Sequence, residues 1–174
     1  MRIVLNPGHF PGLDSGAVSA NGVEEAMVVR AVTAELQQLL EKEAIDCLLV
    51  ESNELADIAE EANNSGADLF ISLHANAAEN PQANGCETYY YPGSAAGADL
   101  AAQIQASLTV NMLLADRGVK EAGFYVLRYT AMPAVLCELA FLSNPYEAGL
   151  LADESWQKTA AAALCDGIMD YVNF

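Results

Sequence analysis

The chain has 174 residues, 53% of them hydrophobic and 18% charged, a balance that excludes a disordered chain and fits one globular domain, residues 1–174, with a core that needs no disulfides. Its 24 acidic residues against 7 basic ones leave a net charge of −17, and a surface that negative repels phosphate backbones, so nucleic acid is excluded as a partner. No apolar run approaches the roughly 18 residues of a membrane span, and no charged-then-apolar leader precedes the first strand, so neither a span nor a signal peptide is expected.

In chain order the pattern alternates between strand and helix, which predicts an α/β fold. Residues 2–6 read as a strand and run into a glycine-rich loop. A helix follows from about Glu24 to Lys42, with Val28, Val32, Leu36, Leu39 and Leu40 on one stripe. A second strand covers 46–50, and Asn53 is placed to cap a helix carrying Leu55, Ile58, Ala59 and Ala62. The third strand, 68–73, leads into His74 and a polar loop over 75–85. A strand at 87–91 and a helix from about Ala95 to Leu113 come next. The apolar runs 124–127 and 134–139 read as the last two strands. Asn144-Pro145-Tyr146-Glu147 has the form of an N-cap, Pro at N1 and a capping acid at N3. A final helix carries Trp156, Ala160, Ala163, Leu164, Ile168 and Tyr171 along one face. Cys47, Cys86, Cys137 and Cys165 show no C-x-x-C spacing, so all four are read as small core residues.

The chain has two histidines, and each follows an apolar strand-like run: Ile3-Val4-Leu5 before Asn6-Pro7-Gly8-His9, and Leu69-Phe70-Ile71-Ser72-Leu73 before His74. In open α/β sheets ligands bind outside the carboxyl ends of the strands, so both imidazoles are expected on one functional rim. A catalytic zinc takes three ligands from His and Asp/Glu and keeps a fourth position open. Glu24 and Glu25, at the start of the first helix, offer the acid. At about 100° per residue Glu25 lies on the stripe of Val28, Val32, Leu36 and Leu39, whereas Glu24 lies about 90° away. An inward carboxylate needs a partner, and a metal is one; favourable charge at a helix N-terminus accounts for either residue without a site. Glu138, at the end of an apolar strand, is poorly solvated. Desolvation raises its pKa, as suits a general base, unless it pairs with a base such as Arg128.

These segments resemble the zinc-dependent N-acetylmuramoyl-L-alanine amidases of the Amidase_3 type. The similar blocks are Ile3 to His9 with Asp14-Ser15-Gly16-Ala17, Ala67 to Ala77, Gly85-Cys86-Glu87-Thr88-Tyr89-Tyr90, Val126-Leu127-Arg128, and Pro133 to Asn144. The resemblance implies a mixed, mostly parallel sheet of about six strands with helices on both faces. It implies one zinc ion per chain held by His9, a helix-1 glutamate and His74, Glu138 as catalytic base, and Asn76 as a substrate contact. The family spacing of apolar positions after the ligand glutamate fits Glu25 and not Glu24. The implied reaction is hydrolysis of the amide between N-acetylmuramic acid and L-alanine in peptidoglycan, by a monomer acting at the bacterial cell wall, in the periplasm or outside the cell, as an autolysin or endolysin. Asn6 stands where the family often has Asp, and Glu51-Ser52-Asn53 replaces its Thr-Arg-x-x-Asp stretch. Two other functions compete. A zinc peptidase or carboxypeptidase would need an Arg clamp for a substrate carboxylate, for which Arg117 and Arg128 are the candidates. A non-catalytic peptidoglycan-binding relative would keep the fold without turnover.

Overall fold

The computed structural model describes residues 1–173. Six strands form one sheet in the order β2-β1-β3-β6-β4-β5. They are β1 (Arg2–Pro7), β2 (Asp46–Leu49), β3 (Leu69–Asn76), β4 (Cys86–Tyr90), β5 (Asp116–Glu121) and β6 (Ala134–Phe141). β2, β1, β3 and β6 run parallel, β4 pairs antiparallel with β6, and β5 runs parallel to β4. The mixed, mostly parallel α/β sheet matches the expected class.

Strand alternation sorts the side chains onto two faces. Ile3, Leu5, Ile71, Leu73, Val135, Cys137 and Leu139 pack in one cluster with α1 (Glu25–Lys42), α3 (Ala95–Met112) and α6 (Glu154–Val172). Val4, Phe70, Ala134 and Leu136 point the other way, against α2 (Leu55–Asn64) and α4 (Tyr125–Tyr129). α5 (Pro145–Leu151) follows β6. The α1 stripe Val28, Val29, Val32, Leu36 and Leu40 is buried, as helical spacing predicts. All four cysteines are free thiols, three of them buried and Cys47 partly so.

Several sequence expectations are corrected. The run 124–127 is not a strand: residues from Tyr125 to Tyr129 form α4, because four apolar residues are too few to tell the two periods apart. The fifth strand is Asp116–Glu121, whose sequence DRGVKE has little apolar alternation because it is an exposed edge. β3 runs on to Asn76, so His74 lies inside the strand, just before a register shift. Glu54, not Asn53, occupies the N-cap of α2, and its side chain makes no capping bond. Asn144 does cap α5, accepting from the Tyr146 and Glu147 N–H groups. Glu147 does not reach back to it; its buried carboxylate accepts from Gly85 N and Phe141 N, both at 2.7 Å, and so ties the end of the β3–β4 loop to the end of β6.

α6 lies close on α3 because Gly167 has no side chain. A Cβ there would stand 2.7 Å from Ile104 Cα and 2.9 Å from Gln103 O. Gly167→Ala is therefore expected to lose about 1–3 kcal/mol to overpacking, more than the roughly 1 kcal/mol that alanine gains over glycine within a helix. Urea unfolding checks this, and a midpoint equal to or above the parent's would mean that the two helices separate at no cost.

Candidate active site

β1 delivers the chain through Gly8 into His9, whose φ of 65° lies in the left-handed region, at a cost of about 1–2 kcal/mol for a residue with a β-carbon. Two glycines make room for the imidazoles. A Cβ on Gly8 would stand 2.3 Å from His74 Cε1, and one on Gly16 would stand 2.5 Å from His9 Cδ2 and 2.6 Å from Glu25 Oε2. The two rings meet edge to face with centroids 5.3 Å apart.

Glu25 opens α1 and is 4% exposed. Its Oε1 accepts from Ala75 N at 3.0 Å and faces His74 Nδ1 at 2.9 Å. Its Oε2 accepts from Ala17 N at 2.9 Å and faces His9 Nε2 at 3.2 Å. Burial pushes this carboxyl upward, but the hydrogen bonds from His74 and His9 outweigh it and hold the group far below the usual carboxylate range. Glu24, one residue earlier, is the N-cap and makes no side-chain cap bond.

His9 Nδ1 faces Asp14 Oδ2 at 2.7 Å, while Asp14 Oδ1 accepts from Gly16 N. A proton on Nδ1 leaves a lone pair on Nε2, which points at Glu25 Oε2. Two facing lone pairs require a positive charge. A proton supplies it in one state, and hydrogen bonding to Glu25 and then to Asp14 raises His9 to about 9. A metal cation would supply it in another. The ligand atoms of His9, Glu25 and His74 all lie within 4.8 Å of one another, so this donor set can hold a metal, with Asp14 orienting the first imidazole from behind. Asp14 has no role in the reading of residues above, although the turn spacing Asp14-Ser15-Gly16 hints at one. Asn6 does not take its place: its side chain accepts from Ser72 Oγ and donates to Val50 O, bracing β1.

Glu138 stands opposite His74 in the β3–β6 ladder and opposite Glu87 in the β4–β6 ladder. Its Oε2 is buried and has no hydrogen-bond partner among the described residues. Burial, then the charges of Glu25 and Glu87, push this carboxyl up to about 8. Arg128 does not pair with it; that guanidinium lies over the Tyr129 ring at 5.3 Å.

Glu87, 3% exposed, is a second residue without a role in the sequence reading. Its Oε1 accepts from Asn76 Nδ2 and from the Tyr89 hydroxyl, both at 2.8 Å. Its Oε2 accepts from Arg117 Nε at 2.8 Å and from Lys120 Nζ. Asn76 is thus tied to Glu87. A polar acid inside the strand sequence Gly85 to Tyr90 was the available signal, but its partners depend on strand register. His9, His74 and Glu138 line a cleft of about 460 Å³ whose walls are Leu55 and Ile58 of α2 and Phe124, Tyr125 and Val126 at α4.

Known proteins share this sequence pattern and fold. Residues 3–170 match the family described as N-acetylmuramoyl-L-alanine amidase. The chain is 38% identical to N-acetylmuramoyl-L-alanine amidase LytC of Bacillus subtilis over 97% of its own length, and it spans 35% of that relative. The amidase AmiC2 of Nostoc punctiforme superposes with a TM-score of 0.94 at 32% identity, covering 100% of this chain and 98% of that one. The catalytic domain of the amidase CwlV from Bacillus (Paenibacillus) polymyxa gives 0.93 at 32%, covering 99% and 98%. A match over nearly all residues, on a sheet that gathers two imidazoles and two glutamates at one rim, makes the chain a member of the N-acetylmuramoyl-L-alanine amidase family.

Proposed function

We propose that this chain hydrolyses the amide between the lactyl group of N-acetylmuramic acid and L-alanine in peptidoglycan, with one zinc ion held by His9, Glu25 and His74 and with Glu138 as general base. The reading rests above all on the buried, unpartnered oxygen of Glu138, one strand from His74. A buried carboxylate oxygen without a partner is costly to keep, and a reacting proton gives it a purpose. When bound, zinc supplies Lewis acidity, polarising a carbonyl oxygen and activating water. Glu138 takes the proton of the water that attacks the lactyl carbonyl carbon. As the carbon–nitrogen bond breaks, it gives that proton to the alanine nitrogen, which leaves as an amine. Burial favours the protonated carboxyl, as suits a group that holds a proton between two transfers. Asp14 keeps the His9 ring in place, and Asn76, held by Glu87, is a substrate contact. Residues 1–174 act as one catalytic unit and as a monomer, at the bacterial cell wall outside the cytoplasmic membrane. The described helices include none long and apolar enough to cross a membrane.

Chelation is expected to abolish turnover, and added zinc to restore it at one ion per chain. Glu25→Ala should lower zinc affinity by more than the roughly 10–100-fold that loss of an outer-shell partner costs, while Glu24→Ala leaves it near the parent value. Zinc titrations of the two variants decide the ligand, and the reverse order would assign it to Glu24.

Glu138→Gln keeps the shape of the side chain and removes its basic oxygen. It is expected to retain zinc and fold while losing about 10²-fold or more in kcat. Mass spectrometry of digested peptidoglycan reads both rate and bond, through stem peptides released with a free alanine amine. A variant near the parent rate would reduce Glu138 to a structural acid.

A further inference from the structure

Two of the chain's 7 basic residues meet on one acid. Arg117 and Lys120 both donate to Oε2 of Glu87, whose single charge leaves the trio with one positive charge in excess. Glu87 needs only one of them to balance its single charge, and its other oxygen is already satisfied by the neutral donors Asn76 and Tyr89. Both cations remain reachable, their side chains 36% and 37% exposed. The Arg117 guanidinium is braced over the Phe141 ring at 4.8 Å and donates once more, to Asn84 O at 3.3 Å, which leaves further N–H groups for a ligand.

Their position gives the pair a purpose. The ladder pairs Glu87 with Glu138, and Lys120 with Tyr89, which follows Glu87 on the same face. The other acids of β5 do not cancel the pair. Asp116 accepts from Gln105 of α3, on the opposite face, and Glu121 from the Tyr90 hydroxyl. Neighbouring strands lie about 4.8 Å apart, so cations gathered at Glu87 stand roughly 5–10 Å from Glu138. An extended peptide advances about 3.5 Å per residue. A carboxylate on the second residue of the leaving peptide therefore falls about 7 Å from the scissile nitrogen, within that range.

We propose that Arg117 and Lys120 form a carboxylate subsite that binds the free carboxylate of an acidic stem peptide on the leaving-amine side of the cleft. The proposal rests on the amidase reading above and adds a direction to it. The peptide crosses β6 toward β4 and β5, and the glycan lies on the side of His9 and the α2–α4 walls. It also makes the enzyme sensitive to amidation of the stem, because a carboxamide offers these cations no charge.

The test compares two synthetic muramoyl peptides that differ only at the second stem residue, one with a free carboxylate there and one with a carboxamide. With the zinc-loaded chain, kcat/KM is expected to favour the carboxylate by about tenfold or more, as charge-assisted hydrogen bonds warrant. Arg117→Gln and Lys120→Gln should each shrink that ratio toward one, chiefly through KM for the carboxylate substrate, and Lys120→Arg should keep it. Because the readout is a ratio within one protein, a general loss of fold affects both substrates alike. Equal cleavage of the two substrates by the parent, or an undiminished preference in both glutamine variants, overturns the subsite and leaves the amidase reading intact. Release of stem peptide from neither substrate overturns both.

Discussion

Everything at this site depends on the burial of one carboxylate, that of Glu25. It sits at the first turn of α1, 4% exposed, and its two oxygens together meet two backbone N–H groups and two imidazoles. Those partners come from the loop after β1 and from β3, so one ionised group at the start of α1 ties three segments together. The cost of removing the charge from water is offset only while all of these donors converge. The candidate site therefore shares its foundations with the packing of α1 on the sheet.

The topology decides which groups can join this centre. β1, β3 and β6 are parallel neighbours, so His9, His74 and Glu138 arrive at the same end of the sheet. β4 reverses direction, and its antiparallel register sets Glu87 opposite Glu138 instead of one step along. β5 then follows β4 and brings Arg117 and Lys120 to the same neighbourhood. The polar row thus continues past His9 and His74 to the sheet edge, where the apolar α2–α4 walls no longer confine it.

Much of this was legible in the residues. The residue pattern located five of the six strands, two of which deliver the histidines, and helical phase separated Glu25 from Glu24 because a buried stripe needs a constant angular step. Local pattern fails where the controlling partner is distant. β5 owes its pairing to β4 and not to its own alternation, so DRGVKE gives little strand signal. The run 124–127 is too short for its period to be read. Glu147 has the spacing of a capping acid, yet the N–H groups it satisfies belong to Gly85 and Phe141. Arg117 is visible in the sequence as a candidate carboxylate clamp, but its convergence with Lys120 on Glu87 exists only once strand register is known.

Three glutamates within this row illustrate how neighbours, not residue type, set the chemistry. Glu25 faces imidazoles and N–H groups and is held ionised. Burial works against Glu87 too, but Lys120, Tyr89 and Arg117 hold its carboxyl below the usual range. Glu138, between them, receives no donor at Oε2, and the two ionised neighbours add their repulsion to its desolvation. Like charges set directly opposite on adjacent strands destabilise a sheet, so Glu87 and Glu138 cannot both stay ionised without a compensating cation. Arg117 and Lys120 supply it on the Glu87 side alone. That asymmetry pushes the proton onto Glu138, so the cations at the sheet edge help decide which of two facing acids is left free to move one.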